Sequence, residues 1–289
     1  MTAVFALASS FLWGAADFGG GLLTRRMQAL TVVVVSQVIA AAVLGAIVVA
    51  TGAWHAAAPQ LWFAVAAGVI GPAAMLCFYR ALALGPMGVV SPLASLGTVL
   101  VPLGVGFIGG ERPGPVQIAG MTVAVVGVVL AGGPQRGGGA VTREAIVLTL
   151  IAAFGFGAVM AFISEASTNV TGLFLALFVQ RVCNVAVGGA ALYVATRRGT
   201  PALPEGGLAV IRAALPALAF VGIADVAANG TYAIATQSGP VTIAAVLASL
   251  YPVVTAVAAM GLLKERLRAI QTAGASLALA GTALLASSG

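Results

Sequence analysis

The chain of 289 residues is 61% hydrophobic and only 7% charged, with a mean hydropathy of +1.12, which leaves too little polar surface to cover a soluble globule. Its basic residues outnumber its acidic ones by 13 to 7 but sit one or two per connector and form no stripe, so a nucleic-acid-binding face is excluded and charge is left to mark membrane orientation. The single lysine, Lys264, follows no glycine-rich phosphate loop, and the single histidine, His55, has no HExxH partner; a P-loop ATPase and a zinc hydrolase are excluded, and no cofactor or metal is expected.

Runs of about 20 apolar residues, the length that crosses about 30 Å of hydrocarbon, fall near 3–23, 29–50, 61–84, 87–109 and 115–132, and again near 143–163, 172–195, 209–236, 240–263 and 269–286. No basic residue precedes Arg25, so the first run lacks the charged start of a cleavable signal and reads as a retained helix. Cys77 and Cys183 lie inside runs and behave as small apolar fillers. The connectors are short and rich in Gly, Pro and Thr, too short for a soluble domain, so function lies within the bundle.

The second half repeats the first. A shift of 154 residues lays Gly85-Pro86 on Gly239-Pro240, Leu93-Ala94-Ser95-Leu96 on Leu247-Ala248-Ser249-Leu250, and Glu111-Arg112 on Glu265-Arg266, with 15 of the 47 positions from 85 to 131 identical. A shift of 143 aligns the first two runs of each half and matches Gly14 with Gly157, Gln37 with Gln180 and Gly45 with Gly188. Five runs per half is an odd number, so the copies cross the bilayer in opposite senses. The sequence therefore predicts an all-α membrane protein of ten transmembrane helices in two inverted five-helix repeats, residues 1–133 and 143–289, joined by a linker at 134–142.

With ten spans the termini share a face. Arg25, Arg26, Arg80, Arg136, Arg143, Arg197, Arg198, Arg212, Lys264, Arg266 and Arg268 lie on or beside the opposite face, and Arg112 alone lies with the termini. Cytoplasmic loops carry the Lys/Arg excess, which places both termini outside.

Polar residues inside spans are costly to hold in hydrocarbon and mark candidate sites. Trp13 is a candidate wall of a solute pocket, as an alternative to plain packing. Asp17 lies deeper toward the basic face, at a depth that Arg80 can reach; the two form either a gate or coupling-proton site or a static interfacial salt bridge. Gln37 and Gln180 occupy matching positions and suggest a symmetric role. Arg181 and Asp225 both fall near the bilayer middle, where they bind a charged substrate or form a permanent ion pair. Asp225, Asn229 and Tyr232 recur at i, i+4 and i+7 along one helical face, either lining a solute path or bonding neighbouring helices. Gly120, Ala124 and Gly127, echoed by Gly274, Ala278 and Gly281, form small-residue faces for close packing. Pro92, Pro102 and Pro252 favour kinks in the fourth and ninth spans.

The stretch Phe11-Leu12-Trp13-Gly14-Ala15-Ala16-Asp17-Phe18, the run Phe78-Tyr79-Arg80-Ala81-Leu82, and Gly-Glu-Arg at 110–112 echoed by Lys-Glu-Arg at 264–266, together with the ten spans, resemble the EamA-type permeases of the drug/metabolite transporter superfamily. The resemblance implies a multi-pass permease of the inner (plasma) membrane. Its central cavity is built largely by the first, third, fourth, sixth, eighth and ninth spans, and it exports amino acids or other small metabolites. It also implies cytoplasmic termini, against the charge bias, so both orientations stay open here. Proton-coupled multidrug efflux is a second reading within transport, and a non-transporting scaffold or sensor a third. The expected partners are a small-molecule substrate, the lipid bilayer and, in the coupled reading, a proton.

Overall fold

In the computed structural model, residues 1–24, 26–56, 58–84, 87–132, 142–166, 169–263 and 269–287 are described. Arg25, Gly85-Pro86, Arg136 with the body of the expected linker, and Lys264 to Arg268 lie outside them. The described residues form α1 (Thr2–Thr24), α2 (Ala29–Thr51), a 3-10 turn (Ala53–Ala56), α3 (Leu61–Leu84), α4 (Met87–Ile108), α5 (Pro115–Gly132), α6 (Arg143–Glu165), α7 (Val170–Arg197), α8 (Leu208–Gln237), α9 (Val241–Ala248), α10 (Tyr251–Leu263) and α11 (Ala269–Ser287). Six of them, α1, α2, α3, α6, α7 and α8, are long and apolar enough to cross a membrane; α4, α5, α9 with α10, and α11 carry shorter apolar stretches.

The ninth expected span is not one helix. It is interrupted at Ser249 and Leu250, between α9 and α10. Pro252 has no backbone N–H, so the carbonyl of Ala248, four residues earlier, loses its helical donor there and regular winding stops. Counted as one interrupted rod, α9 and α10 bring the described helices to ten. Elsewhere the ends follow local chemistry. Gly52 closes α2 in the left-handed conformation (φ 68°), Thr142 accepts from Ala145 N at the start of α6, and Asn169 accepts from Gly172 N at the start of α7.

The helices pack through small residues, because in lipid there is no hydrophobic force to join them and close backbone approach must supply the contact. α1 lies against α8, α9 and α10, and α6 lies against α3 and α4; α2 pairs with α7, and α5 with α11. At the last pair a Cβ added to Gly127 would strike the backbone of Ala278, and one added to Gly281 would strike the backbone of Ala124. Gly14 likewise admits α10, where an added Cβ would lie 2.7 Å from the Tyr251 carbonyl oxygen. The buried core is rich in alanine, whereas Phe11, Trp62, Phe154 and Phe220 are exposed on the outside, as suits a surface that faces acyl chains.

Gly127→Ala should therefore lower stability by about 1 to 3 kcal/mol through overpacking. Gly189→Ala, with nothing within 4 Å of the new carbon, should leave it unchanged or slightly raise it through helix propensity. Thermal unfolding of the two variants in detergent separates these outcomes.

Candidate functional site

Four helices converge on one carboxylate. On α8, Oδ1 of Asp225 accepts the indole N–H of Trp13 from α1 (3.1 Å) and the amide of Asn229 one turn on (3.2 Å). Its Oδ2 accepts Nε2 of Gln37 from α2 (3.0 Å) and Nη1 of Arg181 from α7 (2.6 Å). A carboxylate has about four lone-pair sites, and here four donors use them. Nη1 of Arg181 also donates to Oε1 of Gln37 (2.7 Å). With its amide turned to donate to the Gly68 carbonyl (2.8 Å), Asn184 sets its oxygen 3.3 Å from the same Nη1.

The side chain of Arg181 is 3% exposed and that of Asp225 24%, so the guanidinium is walled in while the carboxylate still reaches open space. Nε and Nη2 of Arg181 are buried without a partner. An apolar pair would fill the same volume without that loss, so the charges are not there for stability alone.

Trp13 also organises an aromatic corner. Its ring centroid lies 6.0 Å from that of Tyr232, tilted by 39°, and 6.2 Å from that of Tyr251, edge to face. Tyr251 is brought to this depth by the interruption before α10. Asp17, one turn after Trp13 on the same face of α1, lies within electrostatic range of Asp225 and Tyr251 and is exposed. Toward the termini Ser10, Tyr232, Thr242 and Ser249 are buried and seal that end of the bundle. Above them Glu111, between α4 and α5, accepts from the backbone N–H groups of Val241 and Thr242 (3.1 Å for the latter). These are free donors at the positive end of α9, where a carboxylate is favoured. A separate apolar groove of about 300 Å³ between α2, α7 and α8, lined by Leu44, Leu177, Val226 and Ile234 among others, offers no charge to a polar solute.

The chain matches the EamA-like transporter family over residues 1–133 and 143–287, in two blocks that take in nearly all of it. It belongs to that family. The EamA-like transporter is thus a multi-pass membrane protein of the drug/metabolite transporter type. No curated protein matches it. Of 27 matching chains among solved structures, one described only as "Crystal structure of protein" shares 20% identity with a TM-score of 0.74, over 98% of this chain and 95% of its own; at that identity the likeness speaks for the fold.

Within this EamA-like transporter the structure brings together Trp13, Gln37, Arg181, Asp225 and Asn229 directly, with Tyr232 and Asp17 beside them. Arg80 does not join Asp17. It pairs with Glu144 of α6 at 2.7 Å, both side chains more than half exposed, because Glu144 in the first turn of α6 is the nearer acid at that surface. Gln180 stays outside the cluster as well, buried with Oε1 unpartnered where α7 meets α3. The repeat explains the difference, since the residue that the 154-residue shift lays on Asp225 is Gly71, so Gln180 has no carboxylate to meet.

Sequence reasoning passed over Asn184, Ser10 and Tyr251. Asn184 stands three residues after Arg181, so the rule that singled out other polar residues within spans also covers it. Tyr251 gives a weaker signal, an aromatic immediately before a mid-span proline.

Asp225→Asn leaves the walled-in guanidinium without its counter-ion and should cost about 3 to 5 kcal/mol, whereas Arg181→Ala leaves a partly exposed carboxylate with three other donors and should cost less; unfolding curves in detergent give the order. For the seal, Thr242→Cys in a background without other cysteines should resist a membrane-impermeant maleimide and become reactive when Glu111→Ala is added.

Proposed function

We propose that this transporter exports a small polar or amphipathic metabolite, an amino acid being the substrate that the family resemblance suggests, across the inner (plasma) membrane by alternating access. The observation that carries the reading is the polar cluster at mid-bundle: Trp13, Gln37, Arg181 and Asn229 gathered on Asp225, with the exposed Asp17 one turn beyond Trp13. A polar site near the midplane between two repeats is where alternating access binds its solute.

The halves act as inverted repeats in this proposal, rocking about the site. Support comes from contacts that recur when the halves are exchanged. α1 on α8 answers α6 on α3, α1 on α9 and α10 answers α6 on α4, and α2 with α7 and α5 with α11 answer themselves. The aromatic pair Trp13 and Tyr232 has its counterpart in Phe156 and Phe78, at 5.7 Å and edge to face, which are the residues that the shifts of 143 and 154 predict. Close glycine contacts repeat too, Gly14 on α10 and Gly157 on α4.

The basic face is taken as cytoplasmic by the charge rule. Asp17, toward the basic end of α1, then lies on the cytoplasmic side of the cluster, the loading side of an exporter.

Two measurements test this. A C-terminal alkaline phosphatase fusion should be active and a C-terminal green fluorescent fusion dark, and the reverse pattern refutes the orientation. Cells lacking the protein should accumulate an internal metabolite that purified protein then moves across proteoliposomes; wild-type flux with Asp225→Asn would remove the site.

A further inference from the structure

At the centre of the bundle one charged group is left uncommitted. Asp225 is saturated by its four donors, Gln37 uses both ends of its amide, and the remaining nitrogens of Arg181 are buried beyond reach of a solute. Asp17 is accessible, and among the described residues no donor or cation reaches it. The formal charges of Asp17, Asp225 and Arg181 sum to minus one.

The aromatic corner lies beside that carboxylate. Trp13 precedes Asp17 by one turn on the same face of α1, and Tyr251 stands edge-on to Trp13 at 6.2 Å. A second observation points to a guest. Ser10, one turn before Trp13, and Tyr232, against the Trp13 ring, are 2% and 0% exposed, and neither hydroxyl has a partner. Buried hydroxyls left empty cost free energy unless something polar arrives.

We propose that Asp17, Trp13 and Tyr251 seat the cationic head of the transported solute, so that the substrates are organic amines or ammonium compounds without a balancing carboxylate. The proposal rests on the transport reading of this site and replaces the amino acid that the family resemblance suggests with an amine that lacks a carboxylate. A cation within about 6 Å of an indole or phenol ring is attracted by the ring quadrupole, more strongly when water is excluded, and an ammonium N–H to a carboxylate is among the stronger hydrogen bonds. A free carboxylate would meet net negative charge and find no accessible Arg181 nitrogen. An amino acid would gain the first interaction and lose on the second.

The test uses three probes with the same ring and different charge: phenethylamine, phenylalanine and phenylacetate. Binding to the purified full-length protein is followed by tryptophan fluorescence, and flux is followed in proteoliposomes. Phenethylamine should bind at least about tenfold tighter than the other two, the ratio expected for one charge-assisted contact. Asp17→Asn should erase that preference, Tyr251→Leu should weaken phenethylamine severalfold, and Tyr251→Phe should retain it. The order of the three probes on the wild-type protein needs no variant to fold. Flux and binding of phenylalanine or phenylacetate that equal or exceed those of phenethylamine would overturn the cation seat and leave the transport reading standing. An Asp17→Asn variant that loses pH-driven flux while binding phenethylamine unchanged would assign Asp17 to a coupling proton only and overturn the seat as well. Neither binding nor flux of any probe would overturn both.

Discussion

Asp225 is the constraint on which the middle of this bundle depends. One carboxylate draws donors from α1, α2, α7 and α8, so it joins helices from both halves of the sequence around a mostly buried charge. The cost of burying the charge is offset only if the four contacts hold together. Helix positions are therefore coupled through it, since moving any of the four changes how well the carboxylate is satisfied.

Around that polar knot the packing is made of absences. Gly14, Gly68, Gly127, Gly157, Gly222 and Gly281 each face backbone or Cβ atoms so closely that a methyl group would collide. Such contacts supply van der Waals attraction and leave little room for sideways drift. The polar groups do not share this symmetry. Opposite Asp225, Trp13, Asp17 and Asn229, the positions that the repeat matches in the other half hold Gly71, Phe156, Met160 and Met75. Duplicated packing carries a site that is present once.

This difference explains what the sequence made legible. Spans, repeat and small-residue faces follow from composition and periodicity, which are summed over many residues and tolerate local errors. The meeting of Arg181 with Asp225 was within reach because depth along a helix can be counted at a fixed rise per residue. Partner choice at one depth was not. Arg80 found Glu144 instead of Asp17, and Gln180 found no carboxylate, because the direction in which a helix face points depends on which neighbour it packs against. The interruption at Ser249 and Leu250 was announced by Pro252, although a bend and a full break look alike in sequence.

That break has a mechanical consequence. α9 is tied at its start to Glu111, and α10 is tied near Tyr251 to α1, where Thr255 donates to the Gly14 carbonyl (3.1 Å). A continuous rod would transmit any displacement at one anchor to the other. With the helix parted between them, the upper piece can swing away from its cap while the lower piece keeps its hold on the aromatic corner, as a clutch separates two shafts. In the proposed transport cycle the end of the bundle near the termini can then open without first dismantling the contacts between Trp13, Tyr251 and Thr255.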